Sequence, residues 1–67
     1  MSPIQCTAVR LKKLRTEREL SQRALAERAG ISREYLARLE AARQDPTLST
    51  LEKLAKALRV KLSALLD

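Results

Sequence analysis

The chain has 67 residues, and its 14 lysines and arginines against 8 aspartates and glutamates give a net charge of +6. It has no histidine and a single cysteine, Cys6, which excludes an internal disulfide, a thiolate metal cluster and the familiar nucleophile triads. No stretch approaches the roughly 20 apolar residues of a membrane span or contains the apolar core of a signal peptide, so we expect a cytoplasmic protein.

Good helix formers dominate the sequence, and no alternating strand pattern occurs. We therefore predict an all-α fold of five helices, with residues 1–67 forming one domain. The first helix ends near Arg18. It begins either at Ser2-Pro3, which combines an N-cap with a proline at the first helical position, or after Thr7.

The only glycine, Gly30, lies inside the most helix-prone stretch of the chain. Glycine adopts positive φ without penalty, so it can end one helix and turn the chain towards the next. Ser21 then caps a second helix over Gln22–Ala29, and Ser32 caps a third from Arg33 to about residue 41. Two helices joined by a short turn containing glycine indicate a helix-turn-helix, with an ordinary helical hairpin as the alternative.

Pro46 interrupts the helical pattern after the third helix. Thr47 and Ser49 are both candidate caps for the fourth helix, and Thr47 is favoured because it keeps Leu48 within the apolar stripe. A short fifth helix is predicted over Leu62–Leu66.

The third helix has two different faces. At about 100° per residue, Leu36 and Leu39 point to the core. The opposite face carries alanine at its centre and long polar side chains at its edges: Arg33, Glu34, Ala37, Arg38 and Ala41. A helix that enters a major groove about 12 Å wide needs this profile, whereas a merely solvated face more often carries lysine or glutamate.

The stretches LKKLRTERELSQRALAERAGISREYLARLE, DPTLSTLEKLAKAL and VKLSALL resemble the phage-repressor family of helix-turn-helix proteins, the Cro/repressor or Xre-like group. The resemblance runs from Leu11 to Leu66. It implies a five-helix, lambda-repressor-like domain that binds double-stranded DNA sequence-specifically and usually acts as a homodimeric transcription regulator.

The resemblance also implies roles for individual residues. Arg33, Glu34 and Arg38 occupy base-reading positions, where arginine suits guanine and Glu34 either accepts from cytosine or orients Arg38. Ala37 lies where it can touch a thymine methyl group. Contacts with the DNA backbone are expected from Gln22, Arg23, Tyr35, Arg43, Gln44 and Thr47. Gln22 would also brace the recognition helix. Arg15 and Glu40 correspond to a partly buried ion pair, for which a surface contact of little energetic value is the alternative.

Three residues depart from the family pattern. Glu19, Ala42 and Arg59 stand where the family often has glycine. A non-glycine residue in left-handed backbone costs roughly 1 kcal/mol or more. We therefore expect these turns to be built differently, or Ala42 and Arg59 to extend their helices by one residue.

The C-terminal leucines exceed what one face of a short helix can bury. They predict a two-fold interface formed by Val60, Leu62, Leu65 and Leu66.

The favoured function is a transcriptional repressor that binds a palindromic operator in double-stranded DNA. The positive charge suits a polyanion but does not distinguish nucleic acid from a membrane surface. An antitoxin of a toxin–antitoxin pair is one alternative, although no toxin-binding segment is apparent; a protein-interaction or membrane-surface module is another. We expect no enzymatic activity, no metal, no cofactor, no membrane partner and no small-molecule ligand.

Overall fold

The computed structural model describes residues 2–66, and this part of the chain contains five α-helices and no β-strand. The helices are α1 (Pro3–Glu17), α2 (Gln22–Ala29), α3 (Arg33–Glu40), α4 (Leu48–Leu58) and α5 (Ser63–Leu66). The all-α prediction is confirmed, and α5 begins one residue later than expected. Helix α2 packs against α3 and α4, while α1 packs against α3 and α5.

The first four helices each begin at a hydroxyl side chain that accepts a hydrogen bond from the backbone three residues later. These N-caps are Ser2, Ser21, Ser32 and Thr47. At Ser2 the side chain of Gln5 completes a capping box. The start at Ser2-Pro3 is therefore right, and the alternative start after Thr7 is wrong.

Gly30 ends α2 in left-handed backbone, with φ 72° and ψ 33°. The amide of Ile31 donates to the carbonyl of Ala26 at 3.0 Å, and the amide of Gly30 donates to Glu27 at 3.3 Å. This pair of bonds is a Schellman motif, which satisfies carbonyls that the helix end leaves free. The predicted break at the glycine is confirmed.

We expected the turns that lack the family's glycine to be built differently, or their helices to be one residue longer, and this expectation is wrong. Glu19, Ala42 and Arg59 all adopt left-handed backbone, with φ of 55°, 58° and 59°. Each keeps the turn that glycine would make, and neither Ala42 nor Arg59 extends its helix. The reason is hydrogen bonding, because each end closes with the same two bonds as the end of α2.

The residue after the left-handed position helps to hold three of these four ends. Leu20, Ile31 and Val60 follow α1, α2 and α4, and all three pack against the core. This hydrophobic contact is a common companion of the Schellman motif. After α3 the corresponding residue is Arg43, which is exposed.

The core is built almost entirely from leucine and alanine. Its largest fully buried side chains are Leu11, Leu25, Leu36, Leu54, Leu58 and Leu65. The carbonyl of Leu58, at the end of α4, accepts a hydrogen bond of 2.6 Å from Nε of Arg18. This bond ties the end of α1 to the end of α4 and places a positive charge where the helix dipole favours it.

Candidate nucleic-acid interface

Helix α3 presents a polar outer face because its apolar residues are taken by the core. Leu36 is 0% exposed and Leu39 is 3% exposed. The opposite face exposes Arg33, Glu34, Arg38 and Ala41, and Ala37 lies half-buried between them. The two alanines leave a shallow centre flanked by long side chains, which is the profile expected of a helix that enters a groove.

Arg38 lies over Tyr35, with its guanidinium carbon 5.9 Å from the ring centroid. This distance permits a cation–π contact, which limits the directions that an exposed arginine explores. Within residues 2–66 the one ion pair is Arg15–Glu40, so Glu34 does not orient Arg38 by a salt bridge here. An exposed pair of this kind gains little in water, and the role of Glu34 towards Arg38 stays a prediction.

Glu40, the last residue of α3, is held by α1 and α2. Its Oε2 accepts from Arg15 Nε at 2.7 Å, and its Oε1 accepts from Arg15 Nη2 at 3.0 Å and from Gln22 Nε2 at 3.2 Å. The side chains of Arg15 and Glu40 are 11% and 4% exposed, so this is a partly buried, bidentate pair rather than a surface contact. Arg15 also donates to the carbonyl of Leu20 at 2.8 Å. The cluster therefore fixes the orientation of α3 relative to α1 and α2.

The N-terminus of α2 borders an open groove of about 510 Å³. Its lining residues are Arg15, Ser21, Gln22, Arg23 and Arg33. Arg15 is already paired with Glu40. Arg23 and Arg33 therefore supply the unpaired positive charge, and the start of a helix adds backbone N–H donors and the positive end of the dipole. Gln22 uses one amide proton on Glu40 and keeps the other for a ligand. The groove is thus suited to an anion such as a phosphate group.

The start of α4 lies next to α3. The hydroxyl of Tyr35 is 3.3 Å from Oγ1 of Thr50, and Oγ1 of Thr47 donates to Oγ1 of Thr50 at 2.9 Å. Thr47 therefore commits its hydroxyl proton inside the protein, so a contact from this position to a phosphate would use the backbone at the start of α4. In the same connection Arg43 is exposed and Gln44 is half-buried.

Sequence reasoning missed two residues that make structural hydrogen bonds, Thr50 beside this interface and Arg18 at the far end of α4. Thr50 is 8% exposed and is the buried polar residue of the described chain, and Arg18 caps α4 from a distant helix. The signal for Thr50 is a hydroxyl three residues after an N-cap, beside the buried Leu51. Arg18 gives no local signal, because its partner lies 40 positions away in sequence.

The predicted dimer surface needs a correction. Leu65 is 0% exposed and belongs to the core, because α5 turns this side chain towards the interior. Val60 and Leu62 are half-buried against the core, and Leu66 is 52% exposed. Leu66 is therefore the residue of this group with substantial free apolar surface.

None of the helices in residues 2–66 is long and apolar enough to cross a membrane. Residues 2–66 also contain no group of three or more histidine, cysteine, aspartate or glutamate side chains placed to hold a metal ion.

Comparisons with known proteins point to one family. The model of the Helix-turn-helix family HTH_3 matches residues 11–65. The immunity repressor protein of Bacillus phage phi105 is 51% identical over 56 residues, which cover 84% of this chain and 39% of that protein. This chain therefore spans well under half the length of that relative.

Solved structures show the same fold. The restriction-modification controller protein C.AhdI from Aeromonas hydrophila superposes with a TM-score of 0.91 at 34% identity, over 92% of this chain and 94% of its own. SinR, a master regulator for biofilm formation, was solved in complex with DNA and superposes with a TM-score of 0.87 at 37% identity. The SinR match covers 91% of this chain and 98% of that chain.

Proposed function

Because the chain belongs to the Helix-turn-helix family, we propose that it binds double-stranded DNA sequence-specifically and represses transcription. The observation that carries this proposal is the outer face of α3, where Arg33, Glu34 and Arg38 surround a centre of alanine. The similarity to a phage immunity repressor and to a regulator solved with DNA supports the same role. A repressor of this kind acts in the cytoplasm.

In this proposal α3 enters the major groove and the flanking residues hold the DNA backbone. Phosphate contacts supply most of the affinity and set the register. They come from Gln22 and Arg23 at the start of α2, from Tyr35 of α3, and from the connection between α3 and α4. Arg33 and Arg38 read guanine edges by bidentate hydrogen bonds, Glu34 accepts from cytosine, and Ala37 approaches a thymine methyl group. The role involves no catalytic step and no cofactor.

The proposed assembly is a homodimer. The exposed Leu66 and the half-buried Val60 and Leu62 offer apolar surface in the C-terminal part of the chain. A two-fold axis there would place two copies of α3 about 34 Å apart, one turn of DNA, on a palindromic site. Sedimentation with and without a selected operator tests this step, and a monomer at high concentration under both conditions would contradict it.

Selection of bound sites from random duplex DNA tests the function itself. A sequence-specific repressor enriches one motif, and a dimer enriches a motif with two-fold symmetry. Arg38→Ala should weaken binding to that site by about 1–3 kcal/mol and relax the preference for one guanine. Recovery of no enriched motif would contradict sequence-specific binding.

Arg43→Ala is the matched control, since it removes an exposed arginine that lies outside the helix. It should weaken binding to cognate and random duplexes alike and reduce the slope of log K against log salt by about one. If Arg38→Ala left the ranking of single-base variants unchanged, α3 would not be the reading helix.

A further inference from the structure

Three hydroxyl groups form a continuous chain from the start of α4 to the recognition helix. Oγ1 of Thr47 lies 2.9 Å from Oγ1 of Thr50, which lies 3.3 Å from the hydroxyl of Tyr35. Thr50 is 8% exposed, so little of it is open to a DNA molecule docked on the surface. Its position is nevertheless between two residues of the proposed backbone contact, Thr47 and Tyr35.

The hydrogen bond between Thr50 and Tyr35 can run in either direction, because either hydroxyl can be its donor. Thr47 accepts a bond from the backbone amide of Thr50 at 3.1 Å and donates its hydroxyl proton to Oγ1 of Thr50. Thr50 has one hydroxyl proton of its own, and the remaining neighbour in the chain is the oxygen of Tyr35. When Thr50 donates to Tyr35, the phenolic proton of Tyr35 is left for an acceptor outside the protein.

We propose that Thr50 is a positioning residue that directs the Tyr35 hydroxyl outwards as a donor to a DNA phosphate. This inference rests on the proposed function. A run of hydroxyls that all donate in the same direction strengthens its terminal donor, because each bond polarises the next. Phosphate oxygens accept hydrogen bonds and donate none, so a DNA backbone selects this direction of the chain.

Tyr35→Phe removes the terminal donor and keeps the ring that lies under Arg38. Binding should weaken about three- to tenfold, the worth of one hydrogen bond, on cognate and random duplexes alike. The dependence of affinity on salt should stay unchanged, because a neutral hydroxyl displaces no counterion from the DNA. That last result separates Tyr35 from an arginine that contacts phosphate.

Thr50→Val removes the inner donor with little change of shape and should weaken DNA binding by a similar factor. Thr50→Ser keeps a hydroxyl at this position and should bind as tightly as the wild type. If circular dichroism shows that Thr50→Val does not fold, Thr50→Ala is used in its place, because it removes the same hydroxyl. The double variant Tyr35→Phe/Thr50→Val should bind no more weakly than Tyr35→Phe alone, because Thr50 acts through Tyr35. If the role of Thr50 were purely structural, the loss of binding from Thr50→Val would add to the loss from Tyr35→Phe.

Thr16→Val is the matched control. Thr16 is an exposed threonine of α1 whose hydroxyl donates to carbonyls of its own helix, and it should leave binding unchanged. If the wild-type protein binds its selected site and Thr50→Val binds equally well, or if the two losses add, the inference is overturned and the proposed function stands. If the wild type binds no duplex DNA, both are overturned.

Discussion

The turn after α2 and the turn after α3 share one backbone geometry but are built from different residues. The first has Gly30 in left-handed backbone followed by the core-packed Ile31. The second has Ala42 in left-handed backbone followed by the exposed Arg43. The turn after α3 therefore lacks both the residue that tolerates the geometry best and the apolar contact that usually holds it.

The difference shows how the second turn is held. Its two backbone bonds, from Arg43 to the carbonyl of Arg38 at 2.9 Å and from Ala42 to Leu39 at 3.2 Å, match those of the first turn. The last residue of α3, Glu40, is in addition fixed by Arg15 and the side chain of Gln22. Packing from other helices thus replaces the local signals that the turn after α2 uses.

The largest effect should come from removing that support. Glu40→Ala leaves the guanidinium of Arg15 partly buried and unpaired, so the free energy of unfolding should fall by about 3 kcal/mol. Urea denaturation measures the change, and Glu52→Ala, an exposed glutamate of α4, is the control. A shift below about 0.5 kcal/mol would mean that the pair behaves as a surface contact.

Gly30→Ala should destabilise the protein by about 1 kcal/mol, the cost of left-handed backbone for a residue with a Cβ atom. No heavy atom beyond its chain neighbours lies within 4 Å of the position that the new Cβ would occupy, so steric crowding adds nothing. The melting temperature should fall by about 4–8 °C for a domain of this size. A loss of several kcal/mol would show that the turn depends on more than its φ angle.

Ala42→Gly should have the opposite sign and stabilise the protein by up to about 1 kcal/mol, because glycine relieves the same strain. The matched control is Ala41→Gly at the preceding residue, where φ is −87° and no strain exists. That control should destabilise by about 0.5 kcal/mol through the added freedom of the unfolded chain. Equal effects of the two substitutions in chemical denaturation would contradict the left-handed strain at Ala42.

The smallest effect should come from supplying the missing apolar contact. Arg43→Leu should raise the stability of the free protein by about 0.5 kcal/mol at most, within the range of surface changes. It should also weaken DNA binding and reduce the salt slope by about one, since a proposed phosphate contact is lost. Tighter DNA binding together with higher stability would contradict the proposed role of Arg43.

The helix starts and the break at Gly30 could be predicted because their signals are local. An N-capping serine or threonine lies only three residues before the amide that it binds. A glycine between two helical stretches likewise marks a helix end within a few residues. The left-handed backbone at Glu19 and Arg59 could not be predicted, because non-glycine residues disfavour it. Two closing hydrogen bonds at each helix end, together with the core contact of the following residue, stabilise it in the fold. Leu65 was misplaced because the burial of a short helix depends on α1, which is distant in sequence.

The candidate interface was predictable only where its signal is local. The outer face of α3 follows from its periodicity, and the exposed Arg33 and Arg38 lie where that periodicity places them. The Arg15–Glu40 pair came from the family resemblance, because residues 25 positions apart share no local pattern. Neither the periodicity nor the family resemblance pointed to Thr50, because its contact with Tyr35 forms only when α4 packs next to α3.

Tyr35 is the only aromatic residue of the chain. All of the near-ultraviolet absorbance and intrinsic fluorescence of the aromatic side chains therefore arises from one ring, at the contact between α3 and α4. Optical unfolding curves read this single contact, whereas far-ultraviolet circular dichroism reads all of the helices together. Coincidence of the two curves would show that the contact is lost in the same cooperative step as the rest of the domain.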